Sequence, residues 1–222
     1  MRKIFLDSAE STNDVARAFG EKGERDAVVV AREQRKGRGR NGRSWFSDAG
    51  GLYSSFILEK KRLLPFIAAI SAAKTVERYV DEAGLREMDV EIKWPNDIMV
   101  RGRKVCGILC EGCRDFDIAG IGINVNNKVS LECATSIKEV TGKEPAIDEV
   151  LDSLVSNIEK NLLSPEEEVI KEYKKRCRML GKRVKVKLEE GSIEGIAGMD
   201  EEGYLLVNGL RISVAEAIRV EQ

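Results

Sequence analysis

The segment from Gly37 to Arg43 interleaves glycines with arginines, and a serine and two aromatic residues follow it directly. Glycines let a backbone bend closely around a ligand, while arginine forks suit phosphate or carboxylate oxygens. The aromatic pair favours a nucleotide, because a ring face can stack on a base. A solvated basic loop and an RNA-binding patch of the arginine–glycine kind are the alternatives. The candidate binding residues are Gly37, Arg38, Gly39, Arg40, Arg43, Trp45 and Phe46.

A second polar cluster is the run Lys-Trp-Pro-Asn-Asp at 93–97. Its strand-like part ends abruptly at Pro95, after which Asn96 presents an amide and Asp97 a carboxylate. Strand ends of this kind commonly place polar groups at the mouth of a pocket. Taken alone, the motif fits an ordinary β-turn better than a binding site.

Lys104 opens a strand-like run that ends at Glu111. Strict alternation places Lys104, Cys106 and Ile108 on one face, and this face is expected to line the pocket. Gly107 leaves room for a ligand to approach the strand.

A third strand-like run, at 116–125, carries Gly120 and Gly122 at alternate positions and then Asn124. The glycines flatten one face of the strand, and the asparagine can read a ligand edge through both a donor and an acceptor. A tight bend of the sheet is the structural alternative.

Composition limits the chemistry. Lysine and arginine number 37 against 38 aspartate and glutamate, so the net charge of -1 does not favour a protein that coats nucleic acid or binds a membrane surface. Histidine is absent, which excludes Ser-His-Asp and Cys-His catalysis and removes the commonest zinc ligand. Any reaction must rest on lysine, arginine, carboxylates, amides and backbone.

The five cysteines form an odd number without evident pairing, which fits reduced thiols in a reducing compartment. Cys106, Cys110 and Cys113 lack a fourth ligand at a metal-binding spacing, so they are interpreted as small core or surface residues. The first residues lack the apolar core of a signal peptide, and no apolar run approaches the roughly 20 residues of a membrane span. The expected location is the cytoplasm.

The pattern of apolar residues predicts the elements that position these groups. Strands are expected at 3–7, 27–33, 52–58, 90–94, 98–100, 104–111 and 116–125, and helices at 11–20, 64–83, 147–163 and from Ser164 to about Met179. Strands joined by short turns imply antiparallel or mixed pairing, so the fold class is α+β rather than doubly wound. From Gly181 a period of two residues predicts a small β-barrel.

The order and spacing of these motifs resemble the biotin protein ligases over nearly the whole chain. The resemblance rests on Ser11-Thr12-Asn13, Gln34, GRGRNGRSW, KWPND, KVCGIL before Glu111, and GIGINVN. It implies a fold like that of class II aminoacyl-tRNA synthetases and biotin synthetases, with a catalytic biotin- and ATP-binding domain at 1–179 and a small C-terminal β-barrel domain at 180–222. Asn41 stands where arginine is common in the family, and Cys106 where glycine or alanine is usual.

The family's reaction joins biotin and ATP into biotinyl-adenylate and pyrophosphate, then moves the biotinyl group to a lysine of a biotin carboxyl carrier protein. The resemblance implies Lys104, Arg38 and Arg40 as catalytic residues. It implies biotin-binding residues Ser11, Thr12, Asn13, Gln34, Gly37, Arg38, Gly39, Lys104, Gly107, Gly120 and Gly122. It implies ATP-binding residues Arg40, Arg43, Trp45, Phe46, Asn96, Asp97 and Asn124.

The resemblance also sets expectations about partners. Mg²⁺ is expected on the ATP phosphates, without a metal site made of protein ligands. Because a strand already starts at Lys3, the family's N-terminal DNA-binding domain is expected to be absent, which predicts a monofunctional ligase that binds neither DNA nor a membrane. Family members are often dimers, so a homodimer is among the expectations.

Three alternatives stay open. A lipoate-type ligase shares the fold and the adenylation step, but its sulfur-containing acyl tail has no ureido group for the polar cluster of Ser11–Asn13 and Gln34. An RNA-binding module would need a wider basic face and more exposed aromatics than 5% aromatic content and a neutral charge favour. A protein that binds the adenylate without transferring it is the third.

Overall fold

In the computed structural model, which describes residues 1–85 and 89–221, a seven-stranded mixed sheet runs in the order β1-β2-β3-β7-β6-β5-β4. Strands β1 and β2 are parallel, and the other neighbours are antiparallel. The predicted α+β class with a mixed, largely antiparallel sheet is confirmed. The strands are β1 Arg2–Ala9, β2 Ala27–Gln34, β3 Leu52–Leu58, β4 Val90–Lys93, β5 Asp97–Val100, β6 Arg103–Gly112 and β7 Asp117–Ile123.

The helices are α1 Thr12–Glu21, α2 Leu64–Glu82, α3 Ile137–Thr141, α4 Ile147–Leu162 and α5 Glu166–Arg176. Ser11 stands at the N-cap of α1, as predicted, but its side chain makes no capping hydrogen bond. The short helix α3 was not predicted. Helix α5 ends three residues before the predicted Met179, because Cys177 leaves the helical conformation with φ -82° and ψ 84°.

The long helix α2 lies at the centre of the main core. It packs against α4, α5 and strands β4, β6 and β7, and most of its side chains are buried. Each large aliphatic side chain buried in this way stabilises the fold by roughly 1.5–3 kcal/mol. Helix α1 covers the other face of the sheet, where it contacts β2, β3 and β7 over a smaller apolar cluster. The start of α1 is thereby fixed against the sheet.

The C-terminal part forms a five-stranded antiparallel sheet in the order β11-β10-β9-β8-β12. Alternate apolar residues of its strands belong to the same hydrophobic cluster as α2 and the main sheet. The strands β11 and β12 are the two edges, and closure of this sheet into a barrel stays a prediction. Its strands are β8 Arg183–Leu188, β9 Gly191–Met199, β10 Leu205–Val207, β11 Leu210–Ile212 and β12 Arg219–Glu221.

Strand β6 departs from strict alternation. Ile98 pairs with Cys106 while its neighbour Met99 pairs with Lys104, so Val105 is an extra residue in β6. A bulge of this kind reverses which face the following side chains occupy. The prediction that Lys104, Cys106 and Ile108 share a pocket face is therefore wrong for Cys106, whereas Lys104 and Ile108 do border the pocket. Cys106 and Ile108 are buried in the main hydrophobic cluster.

None of the helices within residues 1–85 and 89–221 is long and apolar enough to cross a bilayer.

Candidate active site

A cavity of about 550 Å³ opens where five parts of the chain meet: the start of α1, the basic loop at 35–47 after β2, the turn before β5, and the strands β6 and β7. Residues 217–220 of the C-terminal part complete its wall. Asp97 is the single carboxylate among the described residues that line this cavity. The cations that line it are Arg38, Arg40, Arg43, Lys93, Lys104 and Arg219. The cavity is therefore electropositive and suited to an anion.

One end of the cavity holds a cluster of oxygen atoms at the start of α1. The fully buried hydroxyl of Ser55 lies 2.7 Å from Thr12 Oγ1 and 2.6 Å from Asn13 Oδ1. Thr12 Oγ1 lies 3.0 Å from Gln34 Oε1. Only two hydroxyl hydrogens, those of Ser55 and Thr12, are available for these three contacts between oxygens. At least one of the contacts therefore lacks a hydrogen. The cluster therefore has acceptor capacity left for N–H groups of a ligand.

The amide of Gln34 is held by the protein itself. Its Oε1 accepts from the Thr12 backbone N–H at 2.8 Å, and its Nε2 donates to Ser47 Oγ at 2.9 Å. Ser47 Oγ in turn donates to the Trp45 carbonyl at 3.0 Å. Gln34 therefore joins the start of α1 to the end of the basic loop.

Asn13 is oriented by Glu111 on β6. Asn13 Nδ2 donates to Glu111 Oε2 at 2.7 Å and to the Leu109 carbonyl at 3.3 Å, which leaves Oδ1 facing Ser55 and Gly120. A Cβ atom at Gly120 would lie 2.2 Å from this oxygen. Only glycine therefore allows the amide to lie against β7.

Arg38 is bound by carboxylates beside this cluster. Its guanidinium donates to both oxygens of Asp14, at 2.6 and 2.7 Å, and lies 3.6 Å from Glu111. The hydrogen bonds from Arg38 hold the pKa of Asp14 below its usual value. The Arg38 guanidinium could release Asp14 and bind the carboxylate of a ligand with the same two-pronged geometry.

The indole of Trp45 rests on the glycines of β6 and β7. A Cβ atom would lie 2.9 Å from Trp45 Cζ3 at Gly107 and 2.4 Å from Trp45 Nε1 at Gly122. The indole N–H has no hydrogen-bond partner within the described residues, although it is buried. The glycines thus form a flat surface that already carries one ring, and a ligand ring can lie there only after the indole moves.

Lys104 and Asp97 lie together next to this ring. Lys104 Nζ is 2.6 Å from Asp97 Oδ1 and 5.0 Å from the centre of the Trp45 ring. A Cβ atom at Gly107 would lie 3.2 Å from Lys104 Nζ, so the lysine and the glycine surface share one side of the strand. The bulge in β6 brings the ammonium group to this side.

The basic loop is held against the C-terminal part. Arg40 donates to the carbonyls of Val214 and Ala217, the latter at 2.6 Å, and lies 3.4 Å from Asn96 Oδ1. Burial lowers the pKa of Arg40, and the charge of Asp97 opposes this effect.

The two residues after Arg40 also contribute to this contact. Asn41 adopts the left-handed conformation, with φ 54° and ψ 41°, and its Nδ2 donates to the Ile218 carbonyl at 3.1 Å. Arg43 donates to the same carbonyl at 3.4 Å. Asparagine tolerates this backbone conformation better than arginine does, so the departure from the family pattern at position 41 suits the local geometry.

The structure brings most of the predicted site residues to one cavity. Those that line it are Ser11, Thr12, Asn13, Gln34, Arg38, Gly39, Arg40, Arg43, Trp45, Asn96, Asp97, Lys104, Gly107, Gly120 and Gly122.

Three predicted residues do not line the cavity. Phe46 points to solvent and is 71% exposed, because it follows Trp45, whose ring takes the inward position. Asn124 is buried, and its amide is bound to the Thr135 carbonyl at 3.0 Å and to the side chain of Asn127 at 3.1 Å. Gly37 is buried behind Trp45, whose carbonyl would lie 2.4 Å from a Cβ atom there. Because Gly37 has no side chain, the Trp45 carbonyl can lie against it and the basic loop can fold back on itself.

Sequence reasoning missed several supporting groups. Ser55, Asp14 and Glu111 bind the predicted residues Thr12, Asn13 and Arg38, as described above. A pair of serines inside the buried strand β3 was the available signal for Ser55. The carbonyls of residues 214–218 gave no signal, because backbone acceptors are present in every sequence.

Within residues 1–85 and 89–221 no group of three His, Cys, Asp or Glu side chains could hold a metal ion. Burial raises the pKa of the Cys110 thiol to about 12 and also raises that of Cys106. Cys106 belongs to the main hydrophobic cluster and Cys110 packs against it, so these two cysteines act as packing residues.

A cationic cavity with an acceptor-rich end and a flat glycine surface, built on a mixed sheet, is suited to a small acid beside a second anionic group. Residues 5–127 match the Biotin/lipoate A/B protein ligase family, which is more than half of the chain's 222 residues. The chain belongs to this family.

Relatives of known identity agree with this membership. The chain is 30% identical over 231 residues to the bifunctional ligase/repressor BirA of Bacillus subtilis, covering 92% of this chain and 68% of that protein. It is 34% identical over 146 residues to the chloroplastic biotin–protein ligase 1 of Arabidopsis thaliana, and it spans 40% of that relative's length. The biotin protein ligase of Aquifex aeolicus, solved in complex with biotin and ATP, superposes with a TM-score of 0.84 at 32% identity, covering 100% of this chain and 99% of that chain.

Proposed function

We propose that this chain is an ATP-dependent biotin protein ligase. It activates biotin as biotinyl-5′-adenylate and transfers the biotinyl group to a lysine of a biotin carboxyl carrier protein. The observation that carries the proposal is the convergence of Arg38, Arg40 and Lys104 on one cavity whose other end is rich in hydrogen-bond acceptors. The complex of the Aquifex relative with biotin and ATP supports this choice of substrates.

In the first step an oxygen of the biotin carboxylate attacks the α-phosphorus of ATP. The new bond joins that oxygen to phosphorus, the bond from the α-phosphorus to the bridging oxygen breaks, and pyrophosphate leaves. Two unit charges 4 Å apart repel by roughly 4 kcal/mol at an effective dielectric constant of 20. The positive charges of Lys104 and Arg38 reduce this repulsion beside the biotin carboxylate. The positive charge of Arg40 reduces it near Asn96.

In the second step the lysine amine of the carrier protein attacks the acyl carbon of the adenylate. The acyl–oxygen bond breaks, AMP leaves, and the amine proton passes to solvent. No histidine is required, because correct placement of the reactants and stabilisation of developing charge supply most of the catalysis.

The acceptor-rich cluster at Thr12, Asn13 and Ser55 suits the two N–H groups of a ureido ring. The acyl tail of lipoate has no such donors and would leave the remaining acceptor capacity of this cluster unused, and a buried acceptor without a donor costs about 1–3 kcal/mol. This difference favours biotin over lipoate as the acid.

Mg²⁺ would be held with the ATP phosphates, beside Asp97. This ion typically keeps several waters and takes one or two carboxylates in addition to the phosphates, and Asp97 is the described carboxylate that fits this requirement. When bound, Mg²⁺ would neutralise phosphate charge. Lys104 and Asp97, which now contact each other, would then also contact the substrates.

Further expectations belong to the same proposal. A catalytic domain at 1–179 and a β-barrel domain at 180–222, a class II synthetase-like fold and a homodimer follow from the family resemblance. A cytoplasmic location is part of the same proposal.

The test is isotope exchange between pyrophosphate and ATP, run in parallel with biotin, lipoate and octanoate. Exchange that depends on biotin supports the proposal. Exchange with lipoate or octanoate alone would assign the chain to the other branch of the family, and no exchange with any of the three would refute the adenylation step.

A further inference from the structure

Helix α5 contacts the turn that carries Asn96 and Asp97, although none of the predicted site residues lies on this helix. Tyr173 of α5 is 0% exposed, and its hydroxyl donates to the Pro95 carbonyl at 3.1 Å. Its ring packs edge-on against Phe66 of α2, with centroids 4.8 Å apart and an interplanar angle of 83°. The tyrosine is therefore fixed on two sides, which makes its hydroxyl a rigid donor.

The turn is fixed on its other side by β6. Asn96 Nδ2 donates to the Ile108 carbonyl at 2.8 Å, and the Ile108 N–H donates to the Asn96 carbonyl at 3.0 Å. These bonds hold Asn96 to the sheet. The Pro95 carbonyl lies one residue earlier, and its bond to Tyr173 sets the direction in which the turn enters the cavity.

We propose that Tyr173 is a positioning residue for the nucleotide end of the cavity, the end formed by Arg40 and the turn at Asn96 and Asp97. Its hydroxyl fixes this turn, which presents Asn96 to Arg40 and Asp97 to Lys104. This proposal rests on the proposed function. Tyr173 does not line the cavity, so its effect passes through the turn.

The charges around Tyr173 agree with this placement. Burial raises the pKa of the Tyr173 hydroxyl well above its usual value, Cys177 and Asp97 add to the increase, and Arg40 opposes it. The hydroxyl therefore stays protonated and able to donate at neutral pH.

The test compares Tyr173→Phe with Tyr79→Phe. Tyr79 is also a buried tyrosine, 7% exposed, but its hydroxyl has no hydrogen-bond partner within the described residues. Both changes remove one buried hydroxyl, and only the first removes a bond to the turn. The measurements are KM for ATP, KM for biotin and kcat in pyrophosphate exchange.

Tyr173→Phe is expected to raise KM for ATP by roughly fivefold, the effect of one lost hydrogen bond, with KM for biotin unchanged. Tyr79→Phe is expected to change neither constant. A purely structural role would lower the active fraction and hence the apparent kcat, without this selective change in KM.

A second arm tests the route through the turn. In an Asn96→Ala/Asp97→Ala background, Tyr173→Phe is expected to raise KM for ATP by less than about a further twofold, because both groups that the tyrosine positions are already gone. Full additivity, or an unchanged KM for ATP in the single variant, would overturn the positioning role. Absence of exchange in the unmodified protein would instead refute the proposed function.

Discussion

The Lys104 ammonium group lies 2.6 Å from the carboxylate of Asp97, and the bulge at Val105 is what turns this lysine toward the cavity. Both side chains are partly exposed, so their pairing adds little to stability. Its use is to hold a cation beside the glycine surface of β6 and β7.

Lys104→Ala is expected to slow adenylate formation by roughly a hundredfold or more, because a fixed cation beside the reacting carboxylate and phosphate is lost. Pyrophosphate exchange measures this step directly. Lys185→Ala is the matched control, since Lys185 lies on β8 and pairs with Glu194 at the surface. Near-normal exchange in the Lys104 variant would remove this residue from the mechanism.

Arg40→Gly is expected to release biotinyl-adenylate into solution about tenfold faster, because the bonds from the basic loop to the Val214 and Ala217 carbonyls are lost. Release is measured by filtering the protein after one turnover and assaying the filtrate for adenylate. Arg114→Gly, in an exposed turn, serves as the control. Unchanged retention in the Arg40 variant contradicts a role of this contact in closing the cavity.

Ser55→Ala is expected to raise KM for biotin by roughly fivefold, because Thr12 and Asn13 lose the hydroxyl that orients their oxygens. KM for ATP should stay the same. Ser71→Ala controls for stability, since it also removes a fully buried, hydrogen-bonded hydroxyl, but on α2. If both serine variants changed KM for biotin equally, the effect would not arise in the cluster.

The pairing of Asp14 with Arg38 predicts a pH dependence of stability. The hydrogen bonds from Arg38 lower the pKa of Asp14 from 3.8, so the contribution of this pair is complete above pH 3.8 and is lost as the pH falls through the lowered value. Asp14→Asn should therefore be less stable than the unmodified protein at neutral pH, and the difference should shrink in strong acid. Urea unfolding at several pH values measures this difference. If the difference in unfolding free energy stayed constant down to the lowest pH, it would not come from the charge of Asp14.

Local patterns were enough to predict most elements of the fold. Strand β3 was predicted with its observed ends, and α2 to within one residue, because the apolar run and the helical spacing are each unambiguous. The short helix α3 was missed, since five residues carry too little periodicity to stand out from a loop.

The sequence by itself determined the kinds of groups at the site: the glycine–arginine loop, the Asn96–Asp97 turn, and the glycines of β6 and β7. Only the tertiary structure decided which of them face the cavity. The bulge in β6 sends Lys104 inward and Cys106 into the core, and Trp45 takes the inward position that leaves Phe46 in solvent. The physical reason is that alternation gives a residue's face only while pairing stays regular, whereas bulges and loop contacts depend on strands and carbonyls far away in the chain.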